Sequence, residues 1–178
     1  LTYLPNDPQR TSQYHLGRVQ VYDAWDIFRG DTTRYAIVGI VDTGVYWMHP
    51  DLAPNMWINE MEDLNGNGTM DDGDYNGVDD DGNGYVDDVI GWDFQGNDPK
   101  PFDRDGHGTF VAGVIAAGWN NGIGIAGMNP HARIMVLKAL NDFGHTRASY
   151  LAEAIAYAAN NGARIVNAAR TAEYRLAG

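Results

Sequence analysis

An unbroken apolar run at residues 35–41 (YAIVGIV) reads as a strand buried on both faces. Residues 133–140 carry a second such run, and residues 163–167 a third, shorter one. Helical stretches separate them. Residues 109–117 (TFVAGVIAA) form a small-residue helix; residues 151–160 place Leu151, Ile155 and Ala158 on one face and stop at Asn161-Gly162. Near the start, Val21, Trp25 and Phe28 share one face of a short helix that ends near Gly30. Strands alternating with helices predict an α/β fold built on a parallel sheet. The exception is residues 55–105, a Gly-, Asp- and Asn-rich insertion. A loop of that length in a compact domain is expected only where it is functional or ordered by metal.

Composition adds limits. The 178 residues, 44% hydrophobic and 11% aromatic, suit one domain with a real core and argue against disorder. No apolar run reaches the length of a membrane span, so no membrane association is expected. Residue 1 is Leu with no charged-then-apolar leader behind it, so the chain is expected to be mature or cut from something longer. Cysteine is absent, which removes disulfides and thiolate chemistry. A net charge of −12 argues against nucleic acid as a partner. The acid is concentrated between Asn59 and Asp98, a stretch without a single Lys or Arg.

Spacing within that stretch separates a solvated acidic loop from a cation site. Asp63, Asn65, Asn67, Gly68, Asp71 and Asp74 match calcium-loop positions 1, 3, 5, 6, 9 and 12, with Asp in place of Glu at the end. Asp79, Asp81, Asn83, Gly84 and Asp87 match positions 1, 3, 5, 6 and 9, but position 12 is Ile90. Oxygen-only ligands at alternate positions favour Ca2+ over zinc. The competing reading is two Asx-rich turns with solvated carboxylates. His15, His49, His131 and His145 show no zinc spacing, and no phosphate-binding glycine loop is present.

Two further motifs carry chemistry. Asp42 follows directly on the first strand, in V-D-T-G, at the carboxyl end where open α/β sheets gather their reactive groups. A turn-forming Asx role competes with a catalytic one there. His107 opens the small-residue helix in D-G-H-G-T-F-V-A-G. A solvent-facing histidine at a helix start is the plain alternative, but glycines on both sides allow another chain or side chain to approach closely. Triad chemistry needs a base that takes a proton from the nucleophile and an acid that orients that base.

The segments I-V-D-T-G-V…H-P-D-L and D-G-H-G-T-F-V-A-G-V-I-A together resemble the subtilisin-like serine proteases (subtilases). So does G-I-A-G-M-N-P-H-A-R-I-M-V-L-K-A-L, while P-N-D-P…S-Q-Y…A-W-D is similar to the thermitase-like branch. The resemblance covers nearly all of residues 5–167. It implies a three-layer fold with helices on both faces of the sheet, an extracellular serine endopeptidase acting on proteins or peptides, and a possible propeptide. Asp42 becomes the orienting acid and His107 the general base. It also implies a calcium site on the loop 119–125, with Asp7, Asp51 and Asn121 as side-chain ligands and Ile123 and Ile125 as carbonyl ligands. The departures are equally specific. The family's G-T-S-M-A nucleophile is missing, and the only serines are Ser12 and Ser149. Phe110 replaces a second His. The cleft-lining V-I-N-x-S-W-G becomes I-V-N-A-A-R, and residues 169–178 match nothing in the family pattern. The expectation is therefore a partial catalytic domain, incomplete at its C-terminus and inactive alone. A non-enzymatic calcium-binding module or decayed paralogue is the alternative, and a dockerin-like module is disfavoured by the D-G-H-G-T helix.

Overall fold

A computed structural model of the chain describes residues 3–30 and 33–168. Four parallel strands form one sheet in the order β2-β3-β1-β4, with β1 at Ile37–Asp42, β2 at Gly91–Asp93, β3 at Arg133–Lys138 and β4 at Ile165–Ala168. The helices are α1 (Tyr14–Arg18), α2 (Val21–Ile27), α3 (His107–Ala116) and α4 (Ala148–Asn160). The apolar runs are strands because both sheet faces are covered. Val38, Ile40, Ile134 and Val136 pack with Ala112 and Ala116 of α3 in one core cluster. Val41, Met135 and Leu137 pack with Ala154, Tyr157 and Ala158 of α4 in a second cluster. Alternate residues of one strand thus serve opposite layers.

Three local expectations shift. α2 ends at Ile27, and Phe28 is extended and 65% exposed, so the buried member of that face is Trp25 alone. The inward face of α4 is Ala154, Tyr157 and Ala158, while Ile155 is 46% exposed. A tyrosine fills the space there because its hydroxyl finds a buried partner, as described below. The insertion also contains a strand. β2 pairs with β3 through Gly91↔Val136 and Asp93↔Lys138, and Val89 and Ile90 just before it are buried in the first core cluster. Three residues are too short for a periodic signal, and the glycines and aspartates around them mask it.

Gly91 makes that pairing possible. Its φ is +126°, and a Cβ there would fall on the carbonyl oxygen of Val136. We predict that Gly91→Ala destabilises the chain by about 2–3 kcal/mol, from backbone strain plus displaced β2. Thermal or urea unfolding measures it; a change below about 0.5 kcal/mol would show that β2 contributes nothing to the core.

Candidate active site and cation-binding loops

β1 is central in the sheet, and its neighbours β3 and β4 lie on opposite sides. Open α/β sheets of this kind gather reactive groups at the carboxyl ends of their strands. Asp42 stands there, fully buried. His107 is the first residue of α3, and its Nδ1 lies 2.8 Å from both carboxylate oxygens of Asp42. The backbone N–H of Thr43 donates to Asp42 Oδ1 at 2.7 Å. The imidazole itself remains about one-third exposed. A carboxylate so held fixes the ring's orientation and the tautomer that carries its proton on Nδ1, leaving Nε2 free to accept one.

Glycine permits the approach. A Cβ at Gly108 would collide with the carbonyl oxygen of Gly44 and come within 3.1 Å of the Asp42 Cβ. Strand end and helix start therefore meet backbone to backbone.

A residue that the sequence reading did not single out holds this meeting in register. Asp103 accepts from Thr43 Oγ1 at 2.9 Å on one oxygen and from Thr109 Oγ1 at 2.6 Å on the other. It also accepts from the backbone N–H groups of Asp105, Gly106 and Thr109, at 3.1, 2.9 and 2.9 Å. Gly106, the N-cap of α3, has no side chain, so Asp103 caps the helix from three residues further back. Thr43 Oγ1 in turn accepts from the Gly108 N–H at 3.1 Å. Burial pushes the Asp103 carboxyl up, but the bonds from Thr109, Gly106 and Thr43 together outweigh it and hold it below its ordinary value. The signal was present in the spacing D-R-D-G-H-G-T, an acid six residues ahead of a helix N3 threonine. From the other side, the Lys138 ammonium donates to the Thr43 carbonyl at 2.7 Å and pairs with Asp142.

The loop 119–125 converges on two buried carboxylates. Asp51 accepts from Asn121 Nδ2 at 2.7 Å and from the Ile125 N–H at 3.1 Å, while Asp7 accepts from the N–H groups of Asn120 and Asn121. The Ile123 N–H donates to Asn121 Oδ1 at 3.0 Å. No ion pair reaches Asp7 or Asp51 among the described residues. Two buried acids with amide carbonyls nearby and no cationic side chain form an oxygen donor set of the kind a hard cation takes.

In the first acidic loop, Asp71 accepts from Asn65, Asn67 and the Gly73 N–H, and the last of these, with Asn67, lowers its pKa. Asp63 accepts from the N–H groups of Asn67 and Gly68. Asp74 is buried, with Oδ2 on the Asp71 N–H. In the second loop, Asp79 and Asp81 both accept from the Asn83 N–H. Asp87 turns to the N–H groups of Asn76 and Gly77 instead of joining them. Two residues outside the motif matter here. Asp88, pushed up to about 6 by burial, accepts from Asn59, Asn83 and the Tyr157 hydroxyl and so ties the insertion to α4. Glu62 joins Asp79 and Asp81 in a group whose oxygens lie within 4.8 Å of one another, a spacing suited to one metal ion.

Fold and site together define an α/β protein with a buried aspartate paired to a partly exposed histidine at the carboxyl edge of a parallel sheet. The chain belongs to the subtilase family (peptidase S8), whose model matches residues 33–175. It is 36% identical over 166 residues to thermitase of Thermoactinomyces vulgaris, covering 93% of this chain and 47% of that protein. It is 35% identical over 167 residues to a thermophilic serine proteinase of Bacillus sp. (strain AK1), covering 93% and 33%. Subtilisin-like protease 1 of Plasmodium berghei is 33% identical over 162 residues, covering 91% and 26%. The chain thus spans less than half the length of these curated relatives. No helix among the described residues is long and apolar enough to cross a membrane.

The Asp103 clamp has a pH signature. Its folded pKa lies below the ordinary aspartate value, so its contribution is present above pH ~4 and lost as pH falls through the folded value. We predict that Asp103→Asn lowers stability at pH 7 by about 2–4 kcal/mol, since an amide cannot accept every donor in the ring. The variant should also show a shallower loss of stability between pH ~5 and ~2. Equal acid limbs for the two proteins would mean that another carboxylate governs acid unfolding.

Proposed function

We propose that this chain is the first part of the catalytic domain of a secreted, calcium-stabilised serine endopeptidase. The observation that carries this reading is the buried Asp42 held 2.8 Å from Nδ1 of His107. Asp42 orients the imidazole and stabilises the imidazolium. His107 Nε2 takes the proton from a serine hydroxyl and later returns it to the leaving amine. That serine is supplied by sequence outside residues 1–178, in keeping with the share of the relatives that the chain spans. Neither Ser12, in a short 3-10 turn, nor Ser149, in the first turn of α4, has the context of a nucleophile. The substrates are proteins or peptides, and a propeptide belongs to the same reading. Secretion is supported by similarity to a halolysin-like extracellular serine protease of Natrialba magadii, 33% identical over 165 residues.

Calcium belongs in two places. Asp7, Asp51 and Asn121, with the carbonyls of Ile123 and Ile125, would hold one ion at the loop after α3. Asp63, Asn65, Asn67, Asp71 and Asp74, and Asp79, Asp81 and Asn83, are the candidate ligands in the insertion; Asp87, expected among them, faces the N–H groups of Asn76 and Gly77 instead. Bound there, the ion supplies positive charge to carboxylates that have no cationic side chain, and so stabilises the fold.

Two measurements follow. At a hundredfold excess over its dissociation constant, calcium should add about 2.7 kcal/mol per site, raising the melting temperature by several degrees over a chelated sample. Coincident melting curves would remove calcium from the account. The 178-residue chain should not hydrolyse casein. An extended chain carrying a G-T-S-x-A segment should do so, be blocked by serine-directed sulfonylating reagents, and lose about 10^4-fold or more in kcat on His107→Ala. Reagent-sensitive hydrolysis by the short chain would show that its nucleophile lies within residues 1–178. A folded but inactive extended chain would favour the non-enzymatic calcium-binding reading.

A further inference from the structure

The second acidic loop lacks the closing ligand that its motif calls for. Position 12 is Ile90, and that side chain is buried in the core at 1% exposure, where it coordinates nothing. A carboxylate from elsewhere occupies the gap. Glu62, in the turn that leads into the first loop, is 0% exposed. Its Oε1 accepts from the backbone N–H groups of Asp80 and Asp81, at 2.7 and 3.3 Å, which fixes the side chain against the loop. Its Oε2 is buried with no hydrogen-bond partner. An oxygen each from Glu62, Asp79 and Asp81 lies within 4.8 Å of the others, and the two aspartates are only partly buried, which leaves a way in.

Burying a carboxylate oxygen without a partner, beside two further carboxylates, is unfavourable unless a cation completes the arrangement. Nothing cationic is paired to it among the described residues. The ligands are all oxygen, and the loop is Gly- and Asp-rich and supplies irregular geometry, which suits calcium better than magnesium or zinc.

We propose that Glu62, through Oε2, is the missing closing ligand of a discontinuous calcium site formed with Asp79 and Asp81. The two acidic motifs are then not two independent loops. The segment that leads into the first completes the second, so that binding there staples residues 59–62 to residues 79–83. Asn59 reinforces the same junction, donating to Asp81 Oδ2 at 2.8 Å and to Asp88 Oδ1 at 3.0 Å.

The proposal rests on the reading of the insertion as calcium-binding, and the test separates the two. Calcium-free full chain is titrated with Ca2+ by calorimetry and melted with and without chelator, beside Glu62→Gln, Glu62→Asp and, as a control, Asp71→Asn in the first loop. Glu62→Gln keeps the shape but lacks the charge; Glu62→Asp keeps the charge but withdraws the oxygen by one methylene. Both should lose one equivalent of calcium or bind it at least about tenfold more weakly, while Asp71→Asn should leave that equivalent unchanged. In chelator, Glu62→Gln should melt at or above the wild-type temperature, because an unpaired buried charge has been removed; in calcium it should melt below it. A purely structural Glu62 would lower both melts alike, and that result overturns the proposal. So does unaltered calcium stoichiometry and affinity in both variants, with calcium binding itself left standing. A wild-type chain that takes up no calcium overturns the insertion reading and this site with it.

Discussion

One buried carboxylate decides whether the two halves of the site meet. Asp42 and His107 are separated in sequence by the whole acidic insertion; packing of Val38 and Ile40 with Ala112 and Ala116 brings strand and helix together but does not set their ends in register. Asp103 does. Its two oxygens take five donors, shared between the turn after β1 and the first turn of α3. Helix starts and strand ends both expose backbone groups that need partners. A single acid that satisfies both at once is stronger than two neutral caps, because charge-assisted bonds exceed neutral ones. The small residues around it, Gly44, Gly106 and Gly108, then follow from distance: there is no room for a Cβ at Gly44 or Gly108, and Gly106 has φ +97°.

The stretch from Asn59 to Asp98 faces the opposite problem, an excess of negative charge without lysine or arginine. Part of the answer is internal. Backbone N–H groups of Asn67, Gly68, Asn83 and Gly84 point at Asp63 and Asp79, and asparagine amides at Asp71, Asp81 and Asp88. The glycines at Gly68, Gly82 and Gly84 take positive φ, which curls the chain so that successive N–H groups converge on one oxygen pair. Donors of this kind satisfy lone pairs but do not neutralise charge. A cation would do what they cannot, and the buried Oε2 of Glu62, which has no donor, is where the proposed site meets that need.

How much could be read from the chain alone depends on the range of the interaction. β1, β3 and α3 were legible because their apolar patterns and the D-G-H-G-T spacing are local. The Asp42–His107 pairing was legible because the two motifs together resemble one family in their order. β2 was not, because Gly91–Asp93 is a strand only by virtue of β3 beside it. The face of α4 was misjudged by ranking bulk over position: Ile155 looked like the core residue, while Tyr157 is buried for the sake of its hydroxyl and Asp88. Asp103 and Glu62 were hidden differently. Each was visible as one acid among many, and only the contacts made in three dimensions distinguish a clamp or a ligand from a solvated carboxylate.

The insertion is also part of the frame that carries the site. It begins at Asn55, whose side-chain amide donates to the Ala116 carbonyl at the far end of α3, and returns just before His107, so its two ends bracket that helix. Its strand β2 lies on β3, where the Phe94 N–H donates to the Lys138 carbonyl at 2.9 Å. The Lys138 side chain reaches across to the Thr43 carbonyl, and Thr43 completes the Asp103 ring. A contiguous hydrogen-bonded route therefore runs from the acidic loops to the turn beside Asp42. If the loops were free, the entropy of a long mobile segment would fall on the two residues that most need fixed positions. On the proposed reading, a cation that orders the loops would keep that freedom away from the dyad, so that carboxylates remote from the imidazole would help to hold the geometry of the Asp42–His107 pair.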